Sequence, residues 1–404
     1  MPLSGLFLAT SDFILWALIF PTIQILSSAL SFGLPTFLLR NYAVGNVCNK
    51  KGNAQIFLSF LIVLVASLFV FLIFKGVGYD NPLVNWTIYL LLITSSFLLI
   101  IQTKYQAEKN GIKFLSQTIV WRVIFAILLP IIYFLKAKAS LDLLLGLLLL
   151  IQVILVVIAV YQECLPVRFE FDLLEQKRAF KFGFPLFLAG VLQYVIYMNG
   201  RYFIFEMGVE AESYVFSIIQ SIVGALNLLL AVFVRVYVPH FFAFLSGKKS
   251  IESLYVYKTI LFPFFEIMII VIFLCLIAFS SLNQTSFDDY IFVVAPILIF
   301  GEFLFFIQIF VINDLMYSGR TLTFLVINMV LATLSFLLGY VLVNKFGIYG
   351  GAISVALTRL ISLLITIALL RDLFKSILGY KFCIEKILRI TLLMASFFIF
   401  FSVF

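Results

Sequence analysis

Apolar runs of about 20 residues recur along the whole chain with short polar gaps between them, and no other feature limits its fold as tightly. A helix of ~20 apolar residues crosses the ~30 Å hydrocarbon layer of a bilayer with its backbone groups bonded internally. Twelve segments meet this rule: Phe13–Leu38, Gln55–Phe74, Leu83–Ile101, Leu115–Leu135, Leu141–Tyr161, Phe182–Ile204, Tyr214–Val238, Thr259–Phe279, Tyr290–Ile312, Leu322–Val343, Ile348–Leu370 and the shorter Ile390–Phe404. The chain is 64% hydrophobic and 11% charged with a mean hydropathy of +1.20, far from the roughly half-apolar, quarter-charged balance of a soluble domain. The fold class expected is all-α: a polytopic membrane protein of about 12 transmembrane helices.

The gaps differ in charge. Nineteen of the 27 Lys and Arg residues follow odd-numbered segments, from Arg40, Lys50 and Lys51 to Arg371, Lys375, Lys381, Lys386 and Arg389. The alternate gaps and their edges hold Lys75, Lys136, Lys138, Lys345 and Arg201, together with the acidic Asp80, Glu206, Glu210, Glu212, Asp288 and Asp289. Cationic residues stay on the cytoplasmic side, so the odd gaps face the cytoplasm and the N-terminus lies outside. The net charge of +8 is mostly this orientation signal and implies no nucleic-acid partner.

The chemistry of soluble enzymes finds no footing. There is one histidine, His240, at a helix end, and no Gly-rich phosphate loop. Cys48, Cys164 and Cys383 fall in cytoplasmic gaps and Cys275 inside a helix, without metal-ligand or disulfide spacing. No cofactor or metal is expected, and the protein is expected not to be an enzyme.

The longest polar stretch, Gln162–Lys181, mixes Phe169, Phe171, Leu173 and Leu174 with charges, as an interfacial amphipathic helix would. It divides the chain into an N-terminal lobe, residues 1–165, a linker, residues 166–181, and a C-terminal lobe, residues 182–404. The halves echo each other faintly: Ser4 and Phe7 match Ser213 and Phe216, Ala17 and Leu18 match Ala225 and Leu226 one residue off that offset, and Lys50–Lys51 parallel Lys248–Lys249. Internal repeats are common in transporters, with the substrate path between them. The second half has a full segment, Phe182–Ile204, before its repeated unit and the first half has none, so one helix is expected to be missing at the start.

Phe182–Gly183–Phe184–Pro185–Leu186, preceded by Lys181, resembles the opening of the second lobe in polysaccharide flippases, the Wzx-type O-antigen exporters of the MATE-like MOP superfamily. Gly200–Arg201–Tyr202–Phe203–Ile204 sits where that family usually has Asp-Arg and apolar residues, and Glu212–Ser217 resembles its next helix start. Gly347–Ser354 resembles its Gly-x-x-Gly turn, and Phe32–Gly33–Leu34 with Arg40 resembles its first-lobe motif. Two departures stand out: Gly200 replaces the usual Asp, and the family's first helix is absent, so the true start is expected upstream.

The resemblance implies a MATE-like bundle of two pseudo-symmetric lobes in a bacterial inner membrane. Its cargo would be an undecaprenyl-diphosphate-linked oligosaccharide, an O-antigen or capsule repeat unit, carried from the cytoplasmic to the outer leaflet by alternating access. Membrane lipids, a polysaccharide polymerase and chain-length machinery are the partners it implies. Moving a diphosphate through hydrocarbon calls for inward-facing cationic groups.

Arg359 lies eleven residues into its segment, ~16 Å from the helix start and near the bilayer centre, where insertion costs ~2.5–3.5 kcal/mol unless the side chain meets a cavity or a partner. Glu302 and Glu266 are the available anions, either as a structural partner for Arg359 or in ion coupling. Arg122 is the one deep charge of the first lobe, facing a cavity or snorkelling. Arg40 and Arg235 end the first and seventh segments, as anchors or as diphosphate captors, and Arg201 at the outer mouth either receives the head group or anchors a helix end.

Gln24, Gln152, Gln193, Gln220, Asn227, Gln308 and Asn328 are interhelical glue worth ~1 kcal/mol each, or ligands for sugar. Pro21, Pro130, Pro185, Pro263 and Pro296 interrupt spans as bends or as hinges for rocking. Three competing classes remain, one of them a non-transporting membrane scaffold, which Arg359, Glu266 and Glu302 inside the spans make less economical. A multidrug exporter of the same fold calls for acidic groups inside the first lobe, where the one deep charge is Arg122. A polysaccharide polymerase calls for a large external loop, whereas the external gaps here are at most about a dozen residues.

Overall fold

The computed structural model describes residues 82–107, 140–163, 173–207, 210–224, 237–247, 252–283 and 288–403, with short stretches between 16 and 40 and single positions at 68, 113, 124 and 226. These residues are helical, joined by turns, and contain no strand. Arg122, Arg235, Asn227, Pro130, Cys48 and Cys164 lie outside the described residues.

The main helices are α1 Pro82–Ala107, α2 Leu141–Glu163, α3 Leu173–Met207, α4 Glu210–Val223, α5 Glu252–Asn283, α6 Asp288–Tyr317, α7 Thr321–Leu369, α8 Arg371–Ile377 and α9 Tyr380–Val403. Among the described residues, six are long and apolar enough to cross a bilayer: α1, α2, α3, α5, α6 and α7. The chain is a multi-pass membrane protein.

Three helices depart most from the expected boundaries. α3 starts at Leu173, so the basic turns before Phe182 and the span after it form one helix. α9 starts at Tyr380 and not at Ile390, which draws Lys386 and Arg389 out of the expected gap and into the helix. α7 has 49 residues, ~74 Å if straight and more than twice the hydrocarbon thickness.

α7 is two spans folded back on each other. Gly347 sits at φ 54° and ψ −131°, outside helical space and in a region that Gly enters without steric cost. Gly350 consequently packs against the backbone of Leu342, eight residues earlier and ~12 Å away in a straight helix. We call residues 321–346 α7a and residues 348–369 α7b.

The chain divides into two compact units, one formed by Leu3–Tyr194 and the other by Val195–Phe404 with Met1–Pro2. In the first unit, Thr94 and Ser95 of α1 both donate to Gln152 Oε1 of α2 at 2.8 Å. Further along both helices Phe97, Ile101 and Tyr105 pack with Ala159, so α1 and α2 run in the same direction. Ser96 Oγ donates to the Ser27 carbonyl at 3.1 Å. Thr22 and Tyr194 share a hydroxyl hydrogen bond of 2.8 Å while Phe37 meets Phe182, an antiparallel pairing of the first segment with α3.

In the second unit each span's direction follows from its contacts. Asn199 donates to Ser335 and Phe203 meets Phe336 and Tyr340, so the end of α3 runs parallel to α7a. Gly200 and Ile204 both approach Gly351 at the start of α7b. α6 runs parallel to α7b, because Gly301 touches Ala356, Phe305 meets Arg359 and Gln308 meets Ser362 in rising order. α5 runs against α6, with Phe262 and Phe265 layered on Phe303, Phe306 and Phe310, and Phe265 stacked on Phe306 at 4.8 Å. α9 runs with α5, Phe262 meeting Phe382 and Glu266 meeting Lys386. These directions are the ones that successive crossings of one membrane require.

Candidate functional site

The second unit concentrates buried polarity on one face of α3. Tyr197 and Arg201 are one turn apart on that face, and α4 meets it with Ser217, Gln220 and Ser221, with Gly224 just past its end, polar and small residues at helical spacing. Arg201 is 2% exposed. Its Nε donates to Gln220 Oε1 at 2.5 Å, and its Nη2 donates to Ser221 Oγ at 3.1 Å and to the Ser217 carbonyl at 3.4 Å. Gln220 completes the clamp by donating to the Tyr197 carbonyl at 3.3 Å. A buried guanidinium is tolerable when its donors are met in this way.

α3 continues to Met207, six residues beyond Arg201. Its bonds to α4 replace water.

Gly200, where the resembling family carries Asp, has a packing reason. A Cβ there would come within 3.2 Å of the Gly351 carbonyl oxygen and 3.3 Å of the Phe216 ring. The contact brings α3 and α7b together through two glycines, the small-residue packing that membrane helices use.

Arg201, Glu302 and Arg359 all lie within electrostatic reach of the Tyr197 hydroxyl. That hydroxyl lies 3.3 Å from where a Gly224 Cβ would stand, so Gly224 leaves room for it. Glu302 sits near the middle of α6 and is 6% exposed. One turn along α6, Phe305 presents its ring to Arg359, whose Cζ is 4.0 Å from the ring centre. A guanidinium over an aromatic face is held through its plane, which leaves its N–H edge for other acceptors.

Glu266 belongs to a different group. Lys386 Nζ lies 3.2 Å from its Oε1, and Arg389 Nη2 lies 2.9 Å from its Oε2. This triad ties α5 to α9, so the carboxylate that the sequence offered as one partner for Arg359 is engaged by α9. Of the cations expected in the other unit, Arg40 lies over the Phe182 ring, 5.6 Å from its centre. Arg122 and Arg235 are outside the described residues.

Of the polar residues in the spans, Gln152, Gln220 and Gln308 bridge helices; Gln308 Nε2 reaches Ser362 Oγ at 2.7 Å and Thr366 Oγ1 at 2.9 Å. Asn328 instead bonds its own helix at the Phe324 carbonyl, and Gln193 is exposed. Sequence reasoning passed over Tyr197, which lies within electrostatic reach of three charged groups, and Asn199, which pins α3 to α7a. The signal was present in the polar stripe of α4, opposite which a polar face had to stand.

No protein-family model matches the chain, and no curated protein matches it. Solved structures do. A multidrug resistance MATE transporter of the MOP superfamily in its outward-facing conformation aligns over 93% of this chain and 91% of its own, with a TM-score of 0.64 and 14% identity. A variant of the Vibrio cholerae MATE transporter VcmN aligns over 93% and 94%, with a TM-score of 0.67 and 14% identity. A MOP superfamily transporter from Pyrococcus furiosus, described as having a binding pocket of reverse polarity that suggests a different function, aligns over 93% and 91%, with a TM-score of 0.58 and 13% identity. At such identities the likeness shows the fold, that of the MOP-superfamily transporters.

Proposed function

We propose that this chain is a flippase of the bacterial inner membrane. It moves an undecaprenyl-diphosphate-linked oligosaccharide from the cytoplasmic to the outer leaflet by alternating access, without covalent chemistry. The observation that carries this reading is the charge set around Tyr197. Two guanidinium groups, Arg201 and Arg359, and one carboxylate, Glu302, lie within electrostatic reach of the Tyr197 hydroxyl, so the set is positive when all three are ionised. A positive cluster among buried side chains suits an anionic diphosphate and repels the organic cations that a multidrug exporter takes. The two arginines divide the work. Arg201, with donors held by α4, fixes the field, and Arg359, stacked on Phe305 with its edge available, meets the phosphate oxygens.

The flippase-like motifs at Phe182–Leu186 and Gly347–Ser354, and the single deep charge Arg122 in the first lobe, support the same cargo. Export of cationic drugs on the same fold is the second reading, favoured by the buried carboxylate of Glu302 and by the multidrug transporter among the similar structures.

Complementation separates the two. In a bacterium lacking its own O-antigen flippase but supplied with the matching sugar genes, the chain should restore surface polysaccharide and Arg359→Ala should not. Stable insertion without restoration, combined with raised resistance to cationic dyes, would favour the exporter.

A further inference from the structure

α3 is too long for the membrane it crosses. Its 35 residues span ~52 Å, against ~30 Å of hydrocarbon. The apolar span begins at Phe182, so the turns from Leu173 to Lys181 stand about 13 Å beyond the hydrocarbon at the basic end of the helix. Lys177, Arg178 and Lys181 are all exposed there.

The same side of the helix carries a column of aromatic rings. Phe180 is 50% exposed and Phe184 42%, and the two rings stack at 5.7 Å with Phe187 next in the column. Spacings of three and four residues put Lys177, Phe180, Lys181, Phe184 and Phe187 on one face. Read along that face, cations lie above the hydrocarbon boundary and rings lie at and below it. Leu174, 69% exposed, adds an apolar group among the cations.

We propose that this face of α3 is a docking site for anionic phospholipid, the cations taking the headgroup phosphate and the Phe180–Phe184–Phe187 column taking the upper acyl chain. Charge selects the occupant. Three exposed cations within five residues of a helix attract anionic headgroups over zwitterionic ones, while a protein partner would leave the ring column facing lipid. The site lies on the outer surface of the unit formed by Leu3–Tyr194, so it is independent of the charge set around Tyr197 and of the transport reading.

The test uses the full chain in phosphatidylcholine vesicles. Phe184→Trp places an indole in the column, and the same chain without that change supplies the background from the three native tryptophans. Brominated phosphatidylglycerol should quench the introduced indole at least about threefold more strongly than brominated phosphatidylcholine at the same mole fraction. Adding Lys177→Gln, Arg178→Gln and Lys181→Gln should abolish the excess, and raising the salt should lower it in the chain that keeps its cations. Equal quenching by the two lipids would overturn the proposal and give the face to neutral lipid or a protein partner. An excess that survives neutralisation or salt would also overturn it.

Discussion

Arg359 on α7b lays its guanidinium carbon 4.0 Å from the centre of the Phe305 ring on α6. Stacking of this kind depends on a planar cation, so Arg359→Lys keeps the charge and loses the geometry. On the flippase proposal, Arg359→Lys is expected to lose roughly tenfold in transport while inserting normally, and Phe305→Leu to cost about 0.5–2 kcal/mol of stability. Surface polysaccharide yield beside the melting temperature of purified protein reads both. Full activity in Arg359→Lys would count against the stacked geometry.

Glu266→Gln should destabilise the protein far more than Arg389→Gln. Glu266 and Lys386 have side chains only 11% and 10% exposed, so losing the carboxylate strands a buried ammonium at roughly 3 kcal/mol. Arg389 is 62% exposed, and its removal should cost under about 1 kcal/mol. Pairing Glu266→Gln with Lys386→Met should recover part of the loss, as a double-mutant cycle in denaturant would show; additive losses would mean the pair is not coupled.

Gly200→Asp, which introduces the residue usual in the resembling family, is expected to lower stability by about 1–3 kcal/mol. Its Cβ would press on the Gly351 carbonyl and the Phe216 ring, and its carboxylate would face that carbonyl oxygen. An unchanged melting temperature would show that α3 and α7b can separate there.

The same Gly→Ala change should act with opposite sign at two sites. Gly347 holds a positive φ of 54°, so Gly347→Ala should cost about 1–3 kcal/mol. Gly146 is an exposed position in α2 with nothing within 4 Å of a new Cβ, so Gly146→Ala should stabilise by about 0.5–1 kcal/mol. Thermal unfolding of both variants beside the parent chain gives the comparison.

Much of the helix order was legible because membrane spans announce themselves by length and composition. The break at Gly347 separated two apolar runs in the sequence, and the structure reverses there. Arg359 was legible as a deep charge, since depth is only position along a helix. Partnership was not. Arg201 owes its burial to Gln220 and Ser221 on the next helix, and Glu266 meets Lys386 120 residues away, where a boundary drawn by hydropathy had left Lys386 in a gap. Hydropathy sees how apolar a stretch is and not which face of it meets a neighbour.

Gln308 reaches two hydroxyls on α7b, Ser362 and Thr366, that are one helical turn apart. α6 and α7b are therefore joined like a pawl on a ratchet. If α7b moves along α6 by one turn, ~5.4 Å, the amide keeps a hydroxyl within reach while the Arg359 guanidinium leaves the Phe305 ring. Either hydroxyl alone would keep the buried Gln308 amide bonded after such a shift.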